Sequence, residues 1–348
     1  MGKKKSNLPG EEHLLLPTPP SNCGIVDTHT HLASTFAWYR GKYPAGQFTT
    51  VYELVRGLYA ARGVEAIVDV WCEAPVQKIW KEFADSALDE GDRKEKWGGM
   101  DYWFVMGVHP HDAKHYTDEV EQDIIEAMAH PRCVGWGEMG LDYHYDNSPR
   151  DIQQAVFTRQ LRHAIRLGKP LTIHTREADD DTEQILKAEV PKDHRIHIHC
   201  FTDSPAFAQK LLDHFPNLYI GITGVITYAS NQDTSTVVRT LASPSPSSSP
   251  ASTKPLRILL ETDAPYMVPG NLYDSLPPMR GKLPLCHSAM VPWTAAFVAG
   301  VANKAGAGGD RVDGVKEGVE GANGKEGEWD ANRVMREARE GARAVYGI

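Results

Sequence analysis

The sequence predicts an α/β fold, a (β/α)8 TIM barrel with some distortion and two low-complexity surface insertions. Three observations predict it. Eight short apolar runs recur along the chain, and longer amphipathic stretches separate them. Ligand-type side chains then stand at the carboxyl ends of five of these runs, where barrel active sites are built.

The strand candidates are residues 24–27, 66–71, 103–107, 133–138, 170–174, 195–199, 218–222 and 257–261. They are short, apolar and rich in β-branched residues, which suits strands buried on both faces of a parallel sheet. The clearest helix between them spans 152–167, where Ile152, Val156, Phe157, Leu161, Ala164 and Ile165 recur at three- and four-residue steps. Asp151 opens it, and Gly168 with Pro170 ends it. A last helical pattern over 332–346 is expected to close the barrel.

Residues 1–22 are polar and Pro-rich and read as a disordered tail, leaving 23–348 as a single barrel domain. Two segments look inserted. The stretch at about 243–254 is nearly all Ser, Pro and Ala, and that at about 305–327 is rich in Gly, Lys, Glu and Asp. Both read as surface segments through which a protein partner could dock.

Composition narrows the class. The chain has 348 residues, a net charge of −9, 41% hydrophobic and 24% charged residues, as an ordinary globular domain does. No apolar run approaches the roughly 20 residues that cross a bilayer. Five cysteines, odd in number and never spaced C-x-x-C, argue against a disulfide framework or a Cys-based zinc site. They point to a reducing compartment, cytoplasmic with the nucleus as a second location. The acidic balance argues against a protein that coats nucleic acid through a broad basic surface. A nuclease that gathers phosphates through bound cations remains open. Met1-Gly2-Lys3-Lys4-Lys5-Ser6 fits the N-myristoylation pattern beside a basic cluster, which would give a weak membrane contact. A solubilising tail explains the same residues and is the preferred reading.

The chemistry lies at the run ends. In Asp27-Thr28-His29-Thr30-His31, strand alternation lets His29 and His31 offer two imidazoles to one ion. Glu138, His174 and His199 close three later runs, and Asp263 follows the last. Four imidazoles and two carboxylates form a sensible set for divalent cations, and Glu138 could bridge two of them. His197 also lies two residues before His199, so it should sit deeper in the barrel as a supporting or core residue. Arg176 could reach a phosphate oxygen with its planar fork. His109 and His111 end the third run and could contact the phosphate or protonate a leaving group. Asp263 would be both a ligand and the base that takes a proton from water.

Taken in order, several segments resemble the TatD family of metal-dependent deoxyribonucleases, within the amidohydrolase-like barrels. They are Asp27-Thr28-His29-Thr30-His31-Leu32, Gly107-Val108-His109-Pro110-His111 and Gly137-Glu138-Met139-Gly140-Leu141-Asp142-Tyr143. The series continues with Ile173-His174-Thr175-Arg176, His199-Cys200-Phe201-Thr202 and Leu260-Glu261-Thr262-Asp263-Ala264-Pro265-Tyr266. The resemblance implies two divalent cations (magnesium, manganese or zinc). His29, His31, Glu138 and Asp263 would hold one, and Glu138, His174 and His199 the other. It implies phosphodiester hydrolysis of DNA, with Glu138 and Asp263 as the catalytic carboxylates. Three departures stand out: Asp203 where the family often has Gly, Lys282 to Ser288 in place of an Asn-x-Pro element, and Gly341-Ala342 in place of Asn-Ala. Together with the insertions they suggest a diverged eukaryotic, fungal-type branch. Two other readings fit the same residues: a hydrolase of another ester, lactone or amide, and an interaction protein that merely retains the barrel.

Overall fold

A computed structural model describes residues 8–243, 255–305 and 328–348. Eight parallel strands follow one another around the sheet in chain order. They are β1 (Ile25–Thr30), β2 (Val64–Trp71), β3 (Asp101–Met106), β4 (Cys133–Asp142), β5 (Leu171–Arg176), β6 (Ile196–Ile198), β7 (Leu218–Ile222) and β8 (Ile258–Leu260). Each matches an expected run, with ends moved by a few residues. The helices are α1 (Leu32–Lys42), α2 (Val51–Leu54), α3 (Trp80–Asp85), α4 (Glu90–Trp97), α5 (Asp118–Met128) and α6 (Arg150–Arg166). They continue with α7 (Asp179–Glu189), α8 (Pro205–His214), α9 (Asp233–Ala242), α10 (Val291–Ala302) and α11 (Ala331–Tyr346).

Strand alternation separates two cores. One lies between the sheet and the surrounding helices and takes Ile67, Phe104, Trp136, Leu171, Ile196 and Ile258. The other lies inside the barrel, where Val68, Val70, Val105, Val134 and Leu259 meet Ala342, Val345 and Tyr346 of α11. The last helix therefore plugs the barrel, as its expected closing role requires. Asp330 caps its start by accepting from the Arg333 amide, and Gly347 ends it at φ 78°. A Cβ on Gly341 would stand 2.7 Å from the Ile258 carbonyl oxygen. The helix crosses β8 closely there, which explains glycine at one of the departures from the family pattern.

The seam between β8 and β1 carries an isolated parallel bridge, Thr30 with Ala264. Around it the Asp263 amide donates to the His29 carbonyl at 2.9 Å, and the His31 amide to the Ala264 carbonyl at 2.9 Å. Thr262 donates to Asp27 through its hydroxyl at 2.6 Å and its amide at 3.0 Å. Burial pushes the Asp27 carboxyl up to about 7, against the pull of these donors. Closing the barrel thus brings two distant chain segments, each carrying candidate ligands, edge to edge.

The expected tail over 1–22 is corrected for residues 8–22. Leu14 and Leu16 are buried in the outer core. The Leu14 carbonyl lies 3.1 Å from Nε2 of buried His287, and Tyr43 donates its hydroxyl to the Pro9 carbonyl at 3.0 Å. Three leucines in a row gave no periodicity to read, so composition misled: this segment is polar on average but inserts two apolar anchors. The insertions at about 243–254 and 305–327 lie, apart from Ser243 and Ala305, outside the described residues, as does the Met1 to Ser6 motif. No helix among the described residues is long and apolar enough to cross a membrane.

Candidate metal centre

The six expected ligands converge at the carboxyl ends of the strands. His29 lies in β1, Glu138 in β4 and His174 in β5, while His31, His199 and Asp263 stand just beyond strand ends. Pairing shifts register in β1 between Asp27 and Thr30, and in β4 between Trp136 and Met139. Such irregularities re-aim side chains beside active sites. Asp263 has φ 52° and Cys200 φ 42°, left-handed conformations that the surrounding fold must hold in place.

Glu138 is the hub. Its Oε2 lies 3.4 Å from His29 Nε2 and 3.8 Å from His31 Nε2. Asp263 Oδ1 completes that side, 3.3 Å from His31 Nε2 and 3.9 Å from His29 Nε2. Its Oε1 faces a different set: His174 Nδ1 at 2.9 Å, His109 Nε2 at 3.5 Å and His199 Nε2 at 3.6 Å. One carboxylate therefore presents each oxygen to its own group of imidazoles. His109, expected at the phosphate, stands among the donors instead. His111 stands back from them, its Nε2 2.9 Å from Asp142 Oδ2.

Two carboxylates without an expected role turn out to position this set. Asp142 holds both His111 and, at 3.3 Å, Nε2 of His174. Glu261 is fully buried, with Oε1 3.3 Å from His199 Nδ1 and Oε2 2.8 Å from His197 Nε2. Both contacts are at ion-pair distance without hydrogen-bond alignment. His197 Nδ1 in turn meets the Tyr346 hydroxyl at 2.8 Å, and that hydroxyl meets Thr172 Oγ1 at 2.6 Å. His197 thus lies one layer below His199, as expected. A signal existed in the sequence: Asp142 follows Glu138 by four residues within one strand, so alternation puts both on one side, and Glu261 stands two residues before Asp263.

Burial is the largest influence on every group here, and the neighbours decide the outcome. His29 is lowered to about 4 by burial and by the charge of His199. Burial opposes charge on His31 and His174 too, but Asp263 and Glu138 carry the first up to about 9, and Asp142 and Glu138 the second to about 9. Burial would raise Glu138, but the imidazoles around it hold it well below the usual carboxylate range. His199 and His197 do the same for Glu261. Asp203, one of the departures from the family pattern, faces the Glu177 amide at 3.3 Å, and burial raises it to about 6. Arg176 ends β5 with its guanidinium 4.9 Å over the Tyr145 ring.

Divalent cations fit these residues. Nε2 of His29 and Nε2 of His31 face each other at 3.3 Å, too close to share without a proton or a cation between them. His29, His31 and Glu138 bring donor atoms within 4.8 Å of one another, and so do His109, Glu138 and His174. Buried carboxylates at such density need positive charge nearby. Mixed nitrogen and oxygen donors suit zinc or manganese better than a magnesium-only site.

A barrel with this cluster at its carboxyl face belongs to the class of metal-dependent hydrolases. The family model described as TatD related DNase matches residues 26–307, and the chain belongs to that family. It is 34% identical over 282 residues to the human protein named 3'-5' RNA nuclease TATDN2, covering 79% of this chain and 32% of that one. The chain thus spans about a third of that relative's length. It is 32% identical over 258 residues to YabD of Bacillus subtilis, named an uncharacterized metal-dependent hydrolase, covering 74% of this chain and 84% of that one. The fold matches that of YJJV, a TatD homolog from Escherichia coli, with a TM-score of 0.60 at 22% identity, covering 94% of this chain and 99% of the other.

Proposed function

We propose that this chain hydrolyses phosphodiester bonds of nucleic acid using two divalent cations. The observation that carries the reading is the divided Glu138 carboxylate, with Oε2 toward His29 and Oε1 toward His174. His29, His31, Glu138 and Asp263 would hold one ion, and Glu138, His174 and His199 the other, with His109 beside the second. Manganese, zinc or magnesium are the candidates. Bound cations would polarise a phosphoryl oxygen and ease deprotonation of water.

The side chains supply the rest. Asp263 Oδ1 takes the proton of the attacking water. Arg176 binds a non-bridging phosphate oxygen through its fork. His111, held by Asp142 and still part exposed, gives a proton to the leaving oxygen. The names of the relatives, which specify 3'-5' nucleases of RNA or single-stranded DNA, support nucleic acid over a lactone or an amide as the substrate class.

The test is elemental analysis of purified protein together with cleavage assays on single- and double-stranded DNA, RNA, a lactone and a phosphotriester. Two bound ions and phosphodiester cleavage are expected. Cleavage surviving in a Glu138→Ala, Asp263→Ala double variant would refute the reading.

A further inference from the structure

The four exposed aromatic rings among the described residues are Trp38, Tyr145, Tyr228 and Tyr266. All four lie on segments around the metal centre, and they divide into two sides. Tyr266 follows Asp263 by three residues, and its ring meets that of Trp38 edge-on at 5.6 Å. Tyr228 joins the same loop, donating its hydroxyl to the Val268 carbonyl at 3.0 Å. This is the side of His31 and Asp263, which Glu138 faces with Oε2.

Tyr145 stands on the other side. Its ring is 5.5 Å from that of His111. Its amide donates to Asp142 Oδ1 at 3.0 Å, and Oδ2 of the same carboxylate holds His111 and His174. This is the side Glu138 faces with Oε1. Tyr266 is 49% exposed and Tyr145 55%, well beyond what ring packing in a fold requires.

Each side pairs its ring with a cation. Lys42 Nζ is 5.7 Å from the Trp38 ring centre, and the Arg176 guanidinium is 4.9 Å from that of Tyr145. A flat ring beside a cation matches one unpaired nucleotide, the base stacking on the ring and the phosphate meeting the charge. A net charge of −9 argues against a broad basic groove, which leaves stacking to supply part of the grip beside the bound cations. A duplex stacks its bases on one another and presents none. A small ester has none to present.

We propose that Trp38 with Tyr266, and Tyr145, form two base-stacking subsites on opposite sides of the metal centre, served by Lys42 and Arg176. They select a single strand whose unpaired bases flank the bond to be cut. The inference rests on the phosphodiester reading above for the identity of the centre between them.

The test is fluorescence anisotropy of the full chain, metal-free so that hydrolysis is off, with a short single-stranded oligonucleotide and its abasic counterpart. Trp38→Ala and Tyr145→Ala should each weaken binding of the intact strand by about 5- to 100-fold. The abasic strand, which offers a base to neither subsite, should bind wild-type protein more weakly than either variant binds the intact strand, and the same substitutions should cost it less than about twofold, because the lost partner is shared. Tyr145→Phe should restore most of the affinity. The abasic comparison on wild-type protein needs no variant to fold. Additive losses, no loss, or a duplex bound as tightly as the single strand would overturn the proposal. A coupled loss in a protein that cleaves no phosphodiester when loaded with metal would refute the functional reading alone. Cleavage without coupling would refute the stacking subsites alone.

Discussion

Glu138 Oε1 stands 2.9 Å from Nδ1 of His174, while its other oxygen faces His29 at 3.4 Å. A carboxylate so divided can bridge two ions only while it is charged. Glu138→Gln keeps the shape and removes the charge. It should cut metal content below two ions per chain and lower cleavage by more than about 100-fold, beyond the loss usual for an outer partner. Elemental analysis and initial rates check this. Two retained ions with near-normal rates would remove Glu138 from the bridge.

Glu261 acts through His199 rather than on substrate. With its contacts to Nδ1 of His199 and Nε2 of His197, it fixes which imidazole nitrogen faces the cluster. Glu261→Gln should weaken metal binding by about 10- to 100-fold with the fold intact. Tyr346→Phe, farther down the same chain of contacts, should cost about 1 kcal/mol of stability and leave metal affinity much less changed. Competition titration with a chromogenic chelator separates the two effects, and equal losses of metal affinity in both variants would count against the ranking.

Gly221 makes room for that pair. A Cβ there would stand 2.5 Å from both Glu261 Oε1 and His197 Nε2. Gly221→Ala should destabilise the protein by about 1–3 kcal/mol through overpacking, and should weaken metal binding with it. Urea unfolding of the metal-free protein gives the first effect. An unchanged midpoint would mean that the barrel interior yields at this point.

His287, outside the candidate ligand set, sets a pH dependence of stability. Burial lowers it to about 4, the charge of Arg62 adds to this, and the Leu14 carbonyl pulls the other way. Its folded value lies below its unfolded value, so the unfolded chain binds the extra proton. Its share of stability is therefore intact above about pH 6.5 and lost as pH falls toward 4, on the order of 3 kcal/mol. His287→Phe, which can keep the stacking on Tyr59, should flatten the slope of unfolding free energy between these limits. An unchanged slope would place the acid sensitivity elsewhere.

Much of this is legible in the amino-acid sequence. Parallel strands buried on both faces need short continuous apolar runs, and such runs can be read along the chain without knowing what packs against them. His29, His31, Glu138, His174, His199 and Asp263 are legible together, because six ligand-type residues at the carboxyl ends of five runs are an unlikely coincidence, although any one alone would read as an ordinary loop residue. The chain places His109 at the end of the third run, where it could contact phosphate or protonate a leaving group, and nothing local shows that it shares Glu138 Oε1 with His174.

What local pattern determines is the face on which a side chain lies, because alternation is a property of one strand. Which faces meet is decided by closure of the barrel. Asp27 finds Thr262 across 235 residues, Leu14 finds His287 across 273, and Tyr346 reaches His197 across 149. The contacts of Glu138 with His29 and His31 and the support of His199 by Glu261 likewise join separate strands, so no single strand shows them. Those that join His29 and His31 to Asp263 exist only once the seam between β8 and β1 is shut, because only then do the two ends of the sheet share one interior.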